Sequence, residues 1–595
     1  MSGIVGLTNL KHDTKERQHW IIHNMADKIR HRGIDGSLYL DQSIALENAQ
    51  KLSDYIITFD GAIFNKKEVV QALQQLGYKF NDDSDAEIFL TAYIQWKEEC
   101  LEHIDGIFAF AIWDAKNKKL FAARDRLGMK PFFFTVFDKD IAFCSEIKGL
   151  FALPNFKSEI DCDGLAEIMS LLPSRTEGFG IFKGIEELKA GYCLTWQDGE
   201  FVTRKYWDLV SKPHEDSIST TTEKIKELLK NAVLEQMSSG DDFATFVSGG
   251  LDSSCVTSFA SSEYQNNKRI LSTYSFDYVD NGKYFKSSLF QPNTDTDWAT
   301  KVAAELNTNN KLLMADTDDL INNLERAVLA RDLPGMADID SSLLYFCSMV
   351  KGNGTNLVLS GECADEVFGG YPWFYSEKSF EEDGFPWVRG TADRLKLFNS
   401  DIIAYSKPEE YQNNKYFGAL SNVPKLPGED KKETRIRELF YICLHWFGAS
   451  LIERQDRMSA CSGLEIRAPF ADYKLAQYVW NIPWSMKSLN GREKGILRLA
   501  MKGEISDAVL ERKKSPYPKT HNPSYYAAVK KLLEETINDT SNKITPLINK
   551  EAIESFLKND ESDLPFFGQL MKNPQICGFL LQLNFWLKEY NVSIV

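Results

Sequence analysis

The stretch FATFVSGGLDSS, residues 243–254, restricts the possible folds of this 595-residue chain more than any other. An apolar run leads directly into Ser248, Gly249 and Gly250, and a helix is predicted to start at Ser253. Two glycines after a strand allow a tight turn whose N–H groups surround an anion. The N-terminus of the next helix adds donors and a favourable dipole. The stretch therefore predicts a phosphate-binding loop.

The serines and the aspartate of this loop make the prediction more specific. The serine hydroxyls supply further donors, and Asp252 supplies a hard oxygen for Mg²⁺. The pattern differs from the Walker loop, which requires GxxxxGK[ST]. SGGLDS after a strand is typical of the pyrophosphate loop of enzymes that cleave ATP and release AMP.

The order of β-rich and helical segments along the chain predicts two kinds of domain. Before residue 190, short β-rich runs (55–65, 106–114, 118–125, 131–137 and 140–147) alternate with helical segments at 15–33 and 84–106. This pattern favours an α+β sandwich of the Ntn-hydrolase type with its helices outside. After residue 222, strands alternate with helices, which indicates an α/β, doubly wound parallel sheet, and the end of the chain from about 430 reads as helical. We expect domains at 1–208 and 223–595, joined by a polar linker at 209–222.

Composition excludes several classes of function. The net charge of −16 argues against a protein that binds nucleic acid through its phosphates. No apolar run approaches the ~18 residues of a membrane span, and no signal pattern opens the chain. The ten cysteines form no CxxC pair, which predicts reduced thiols in a cytoplasmic protein, with Cys255 and Cys363 serving as packing residues.

A second motif, LSGECADEVFGGYPWF at 359–374, also places a glycine-containing turn directly after a predicted strand. After Ser360 and Gly361 come three carboxylates within five residues: Glu362, Asp365 and Glu366. They repel each other unless cations intervene, so the cluster predicts Mg²⁺ binding or a general base rather than a solvated helix start. A third segment, NGREKGILR at 490–498, places Lys494 on a predicted amphipathic helix, where alone it would carry no functional weight.

Together these motifs resemble the asparagine synthetase B family over essentially the whole chain. RQDRMSACSGLEIRAPFAD (454–472) is equally specific, and LPGMADIDSSLLYFC (333–347) and RKKSPYPKTHNP (512–523) resemble one bacterial branch. The resemblance implies adenylation of a carboxylate, aspartate by default, by ATP with Mg²⁺. Ammonia, supplied by glutamine hydrolysis in the N-terminal domain and carried through a tunnel, then displaces AMP. The family also suggests a homodimer.

The resemblance implies a role for each matching residue. Those expected to hold ATP or its pyrophosphate are Ser248, Gly249, Gly250, Asp252, Ser253, Phe276, Ser360 and Gly361. Asp252 and Asp365 would bind Mg²⁺. Lys494 would stabilise the charge that develops on the α-phosphate, and Glu362 would accept a proton from the attacking amine.

The N-terminal domain departs from the family pattern at its glutaminase site. Ser2 stands where the family has its nucleophilic cysteine, although N-terminal serine nucleophiles do exist. Asp60, followed by Gly61, stands where the family has an oxyanion-hole asparagine, and an ionised Asp60 would repel the oxyanion. The arginine that reads the glutamine α-carboxylate is missing from 41–54, whereas Asp85 matches the amine-binding aspartate. We therefore expect a domain that hydrolyses glutamine poorly or not at all.

Several hypotheses follow. The leading one is an AMP-forming amide ligase that uses ammonia or an amine. The alternatives are an asparagine synthetase with residual Ser2-dependent glutaminase activity, and an amine-joining relative of the β-lactam synthetases. Those enzymes usually carry Tyr at the position of Glu362, so SGEC favours ammonia. A non-catalytic binding protein is the alternative outside enzymes, and the intact synthetase motifs argue against it.

Overall fold

The computed structural model describes residues 2–8, 14–237, 243–285, 294–559, 565, 567–568 and 570–595. The chain forms two compact units. The first comprises residues 1–159 and 177–208, and the second residues 160–176 and 209–595. Among the described residues, no helix combines the length and apolarity needed to cross a bilayer.

The N-terminal unit contains two six-stranded sheets whose described neighbouring strands pair antiparallel. In spatial order, the first sheet is Ile185–Glu187, Phe133–Phe137, Asp140–Cys144, Val5–Thr8, Ile44–Glu47 and Leu38–Leu40. The second is Glu200–Lys205, Tyr192–Gln197, Lys119–Arg124, Gly106–Asp114, Tyr55–Ile63 and Ala49–Leu52. One apolar core, which includes Ile4, Ile44, Trp113 and Phe143, takes residues from both sheets.

Helices cover the outer faces of these sheets, as predicted. They are Lys15–Lys28, Lys66–Gln75, Asp85–Trp96, Cys100–His103 and Ile147–Leu150, with 3₁₀ turns at Arg30–Arg32 and Lys97–Glu99. A second core packs Asp85–Trp96 against the second sheet through Phe89, Phe108 and Phe110. Ser84 accepts a hydrogen bond from the N–H of Glu87, which is the N-cap that the sequence predicts. The α+β sandwich with outer helices is therefore confirmed.

The C-terminal unit is built on a five-stranded parallel sheet. Its spatial order is Asn309–Ala315, Ser272–Tyr278, Phe243–Phe246, Leu357–Leu359 and Glu465–Arg467. Phe243–Phe246 lies at the centre, so the loop that follows it opens at the carboxyl edge of the sheet, where open α/β sheets bind ligands. The doubly wound sheet is confirmed.

The helices of this unit surround the sheet and form the helical end of the chain. Up to the second motif they are Cys162–Ser170, Ile218–Gln236, Leu251–Asn266, Asn281–Tyr284, Thr296–Glu305, Thr317–Asn322, Leu324–Arg331, Asp338–Gly352 and Ala364–Phe368. Then follow Glu377–Glu381, Thr391–Leu395, Ser400–Ser406, Pro408–Ser421, Lys431–Ile442, Ala449–Cys461, Tyr473–Trp480, Trp484–Lys487, Gly495–Ala500, Asp507–Glu511, Pro523–Asn538, Lys550–Lys558 and Asn573–Glu589. A π-helical segment, Cys443–Gly448, joins two of them.

Three sequence-based boundaries are wrong. The loop helix starts at Leu251 instead of Ser253, because Gly250 already occupies the N-cap position. Residues 218–222 belong to the helix Ile218–Gln236 rather than to a linker, since Ser217 caps that helix by accepting from the N–H of Thr220. The helix predicted over 84–106 breaks at Lys97, which has a positive φ of 53°.

Candidate active site

The predicted phosphate loop, Ser248–Ser253, forms a tight turn ahead of the helix Leu251–Asn266. The N–H of Ser248 donates to Oγ of Ser253 at 3.2 Å, and the two hydroxyl oxygens lie 3.1 Å apart. Gly249 has a φ of 71°, and a Cβ there would lie 2.4 Å from Trp298. Only glycine suits this position, so the turn that points N–H groups and hydroxyls at one place depends on it.

The second motif packs directly against this loop. A Cβ on Gly361 would lie 2.7 Å from the backbone nitrogen of Ser253. Oγ of the neighbouring Ser360 donates to Oε1 of Gln455 at 2.6 Å. The close approach at Gly361 therefore brings the acidic cluster next to the phosphate loop, although about 110 residues separate them in sequence.

Lys494 joins the two loops electrostatically. Its Nζ lies 2.6 and 2.5 Å from the two carboxylate oxygens of Asp252, and 2.6 Å from Oδ1 of Asp365. Lys494 is 1% exposed. Burial by itself would lower its pKa, but the two carboxylates outweigh burial and raise the pKa above its usual range. This ammonium therefore stays charged at neutral pH.

Lys494 does not lie on a helix, so the sequence prediction was wrong at this residue. It is the residue before the helix Gly495–Ala500 and has left-handed φ and ψ of 54° and 35°. A helical Lys494 would point along the helix surface, whereas the left-handed residue turns its side chain toward the sheet edge. The unusual conformation is thus part of what brings the ammonium to the two loops.

A second lysine, which the sequence analysis left without a role, lies at the same cluster. Nζ of Lys514 is 3.2 Å from Oδ2 of Asp365. Burial opposes ionisation of Asp365, but Lys494 and Lys514 outweigh it and lower the pKa of this carboxyl group. The only sequence signal was the basic run before Ser515 in RKKSPYP, which resembles the family but shows no chemistry of its own.

Glu362 belongs to the same acidic cluster, but its contact with a cation is longer than that of Asp365. Its Oε1 is 3.6 Å from a guanidinium nitrogen of Arg454, another residue without an assigned role. Burial raises the pKa of Glu362, and Arg454 only partly opposes that rise. A carboxylate with a raised pKa in a cleft suits proton acceptance.

Glu366, the third acid of the cluster, is paired with a tyrosine instead of a lysine. It accepts a hydrogen bond from the Tyr371 hydroxyl at 2.6 Å and is 2% exposed. Burial, followed by the negative charge of Asp365, raises its pKa to about 8. Burial and the neighbouring charge therefore favour the neutral form of Glu366, which lets three acids share one short segment.

These groups line one cavity of about 250 Å³ in the C-terminal unit. Phe276 lies on its apolar side, with ring centroids 5.0 Å from Phe346. The cavity thus brings together Ser248, Asp252, Ser253, Phe276, Ser360, Gly361, Glu362 and Asp365. Lys494 reaches the same cluster through its two carboxylate contacts, and Gly249 and Gly250 shape the loop.

The residues fit Mg²⁺ when it is bound with phosphate. No group of three or more His, Cys, Asp or Glu side chains suited to a metal occurs in the described ranges. Asp252 and Asp365 offer two carboxylates, which lie side by side because both contact the Lys494 ammonium. One or two carboxylates plus substrate phosphates is the usual Mg²⁺ arrangement.

In the N-terminal unit, Asp60 lies beside Ser2, as the motif comparison predicts. The Ser2 N–H donates to Oδ1 of Asp60 at 3.4 Å, and Oγ of Ser2 donates to the carbonyl of Phe59. Asp60 is fully buried and also contacts Arg32 at 3.5 Å and Lys130 at 3.7 Å. Asp60 is therefore a partnered carboxylate. The sequence-based expectation considered only its negative charge, whereas Arg32 and Lys130 lie beside that charge in the structure.

Arg32 pairs with carboxylates of the N-terminal unit itself. Its side chain is completely buried, and its Nε donates to Oε1 of Glu146 at 2.5 Å, a carboxylate that also contacts His31 and Lys148. Gly61 allows the strand to approach its neighbour, since a Cβ there would lie 2.1 Å from the carbonyl oxygen of Ile107. Asp85 contacts Lys66 at 3.2 Å and accepts from the N–H of Ile63.

Comparison with known proteins identifies both parts of the chain. A family model described as asparagine synthase matches residues 224–588, and one described as glutamine amidotransferase domain matches residues 1–207. The chain is 41% identical to asparagine synthetase (glutamine-hydrolyzing) 3 of Bacillus subtilis (strain 168), over all of both chains. It is 28% identical to asparagine synthetase (glutamine-hydrolyzing) 1 of the same organism, over 87% of each.

A solved structure titled as the allosteric regulatory enzyme of purine biosynthesis is 10% identical in sequence to this chain. The match covers 53% of this chain and 80% of that structure's chain, and its TM-score of 0.26 is too low to support an argument. The asparagine synthase match over residues 224–588 identifies an ATP-dependent carbon–nitrogen ligase. The sequence matches then show that the chain belongs to the asparagine synthetase family.

Proposed function

We propose that this protein adenylates a carboxylate with ATP, releasing pyrophosphate, and that free ammonia or an amine then displaces AMP from the adenylate to form an amide. The observation that carries the proposal is the Lys494 ammonium between Asp252 and Asp365, at the phosphate loop. Aspartate is the default acid, because the curated relatives are named asparagine synthetases.

In this proposal each group acts on a charge that develops during the reaction. The loop N–H groups and hydroxyls of Ser248–Ser253 hold the departing pyrophosphate. Lys494 stabilises charge on the α-phosphate, a fixed and desolvated cation being among the largest catalytic effects. Mg²⁺ held by Asp252 and Asp365 would neutralise phosphate charge. Glu362 accepts the proton that the attacking nitrogen loses.

We further propose that the N-terminal unit does not supply ammonia from glutamine. Removal of Met1 would turn the Ser2 nitrogen into an ammonium that faces Asp60 at the 3.4 Å contact. The carboxylate would stabilise its protonated form, and a protonated amine cannot take the proton of the Ser2 hydroxyl. That hydroxyl also donates to the Phe59 carbonyl, so its proton is directed into the strand.

The test measures pyrophosphate release with aspartate and either NH₄⁺ or glutamine as the nitrogen source. We expect release with NH₄⁺ and little with glutamine. Ser2→Ala should leave the NH₄⁺ reaction unchanged, and Lys494→Met should slow that reaction by about 10³-fold or more. Formation of glutamate in step with amide, lost in Ser2→Ala, would instead establish a Ser2-dependent glutaminase. Absence of pyrophosphate release both with aspartate and with every other acid of a carboxylate screen would overturn the ligase proposal itself.

A further inference from the structure

The cavity contains a second apolar region that the ATP-binding residues do not use. Phe246, Phe276 and Phe346 form one region, with ring centroids 4.6 to 5.0 Å apart, on the side expected to meet adenine. The other region consists of Tyr371, Phe447, Leu451, Phe567 and Met571, which we name the aromatic wall. Its rings contact each other: the Phe447 ring lies 5.1 Å from Tyr371 and 5.6 Å from Phe567.

The aromatic wall adjoins the reactive groups. Tyr371 donates to Glu366, and Nζ of Lys514, which contacts Asp365, lies 5.1 Å from the Tyr371 ring centroid. Leu451 lies three residues before Arg454 on the helix Ala449–Cys461, and Arg454 contacts Glu362. A carboxylate beside these cations would therefore have the rest of its molecule next to the wall.

A local departure from helix geometry accompanies this wall. Cys443–Gly448 is π-helical, and such turns occur frequently at functional sites. Gly448 ends it, and a Cβ there would lie 2.9 Å from Cγ of Glu366. The close approach sets the helix against the acidic segment, and Phe447 lines the cavity at that point.

Aspartate is a poor match for such a wall. Its α-ammonium and α-carboxylate suit the charged groups of the cavity, such as Glu362 and Arg454, and aspartate has no apolar group that could cover the wall. An apolar or aromatic group would instead gain the burial that these side chains offer, equivalent to about 10-fold or more in affinity for one ring.

We propose that the aromatic wall receives an apolar portion of the acyl substrate, so that the preferred substrate is a carboxylic acid larger than aspartate that carries an apolar or aromatic group. This inference rests on the proposed function, because it concerns the acid that the same site adenylates. It assigns Phe447 as a specificity-determining residue.

The experiment is ATP–pyrophosphate exchange without any nitrogen donor, which reports on the acid alone. The probes are L-aspartate, its N-phenylacetyl derivative and 3-phenylpropanoate. We expect at least one aryl acid to show a KM about 10-fold or more below that of aspartate. Phe447→Leu should raise that KM several-fold and leave the KM for ATP unchanged, whereas Phe346→Leu should raise the KM for ATP.

Two controls separate the possible failures. Phe417→Leu replaces a phenylalanine that is 52% exposed and should change neither KM. Exchange with aspartate at a lower KM than with either aryl acid, unaffected by Phe447→Leu, would overturn this inference and leave the proposed function intact. An equal effect of Phe447→Leu on both KM values would also overturn it, because the wall would then only support the fold. No exchange with any acid would overturn the proposed function.

Discussion

Substitution of Gly370 by alanine tests the geometry of the lysine–carboxylate cluster without changing any charge. A Cβ on Gly370 would lie 1.8 Å from Oδ1 of Asp365 and 2.4 Å from Cε of Lys494. Ordinary contacts begin near 3.4 Å, so the carboxylate oxygen or the lysine stem must move by more than about 1 Å. Either movement breaks the 2.6 Å contact between Lys494 and Asp365.

The expected magnitude follows from that displacement. Misplacing a catalytic group by about 1 Å costs on the order of 10²-fold in rate. Gly370→Ala should therefore lower kcat for ATP–pyrophosphate exchange about 100-fold, measured with the acid that supports the fastest exchange. Far-UV circular dichroism should stay unchanged, because the added methyl group disturbs only the cluster.

Gly418→Ala provides the matched control. Gly418 lies in the helix Pro408–Ser421, has no described atom within 4 Å of its would-be Cβ, and should accept alanine with a gain of up to about 1 kcal/mol. Its exchange rate should equal that of the unchanged protein. If Gly370→Ala retains exchange within threefold of that rate, the position of Lys494 does not govern adenylation and the reasoning is refuted.

Three further predictions concern single positions. Lys494→Met should slow exchange by about 10³-fold or more, since it removes the fixed cation, and a loss below tenfold would contradict this. The free energy of unfolding of Glu366→Gln should increase relative to that of the unchanged protein as the pH rises from about 4.5 towards 8, because the folded state of the unchanged protein holds on Glu366 a proton that its unfolded state has released. Thermal unfolding across that range measures the difference, and parallel pH profiles of the two proteins would contradict the prediction. Gly61→Ala should destabilise the N-terminal unit by about 2 kcal/mol or more, because the added Cβ would overlap the carbonyl oxygen of Ile107. Calorimetry measures the unfolding transition of this unit, and an unchanged transition would contradict the prediction.

The sequence was sufficient to predict the elements whose cause is local. Strand, glycine turn and helix follow one another within 243–266, so pattern and turn chemistry identify the phosphate loop directly. The helix start was misplaced by two residues because Gly250 can serve as an N-cap without a side-chain hydrogen bond. The acidic cluster at 362–366 could likewise be predicted, since its three acids and the turn before them lie in one segment.

The position of Lys494 could not be predicted from local pattern. Its contact with Asp252 spans 242 residues, and its left-handed backbone contradicts the helix that the surrounding letters favour. Gly495 makes this conformation possible by allowing the chain to pass Leu489, whose carbonyl oxygen would lie 2.4 Å from a Cβ. Lys514 and Arg454 were missed for the same reason, because their chemistry exists only where the fold brings them to acids from another segment.

The N-terminal unit shows a different limit of sequence reasoning. The motif comparison treats Asp60 as a charge added to an oxyanion site, whereas the structure shows it among Arg32, Lys130 and the Ser2 nitrogen. A buried carboxylate without partners would be strongly destabilising, so Asp60 requires nearby cations. The guanidinium of Arg32 is shared between Asp60 and Glu146, and both acids are fully buried. The electrostatic demand of Asp60 is thus met by the protein's own side chains, which supports a domain whose polar interior serves the fold rather than a bound glutamine.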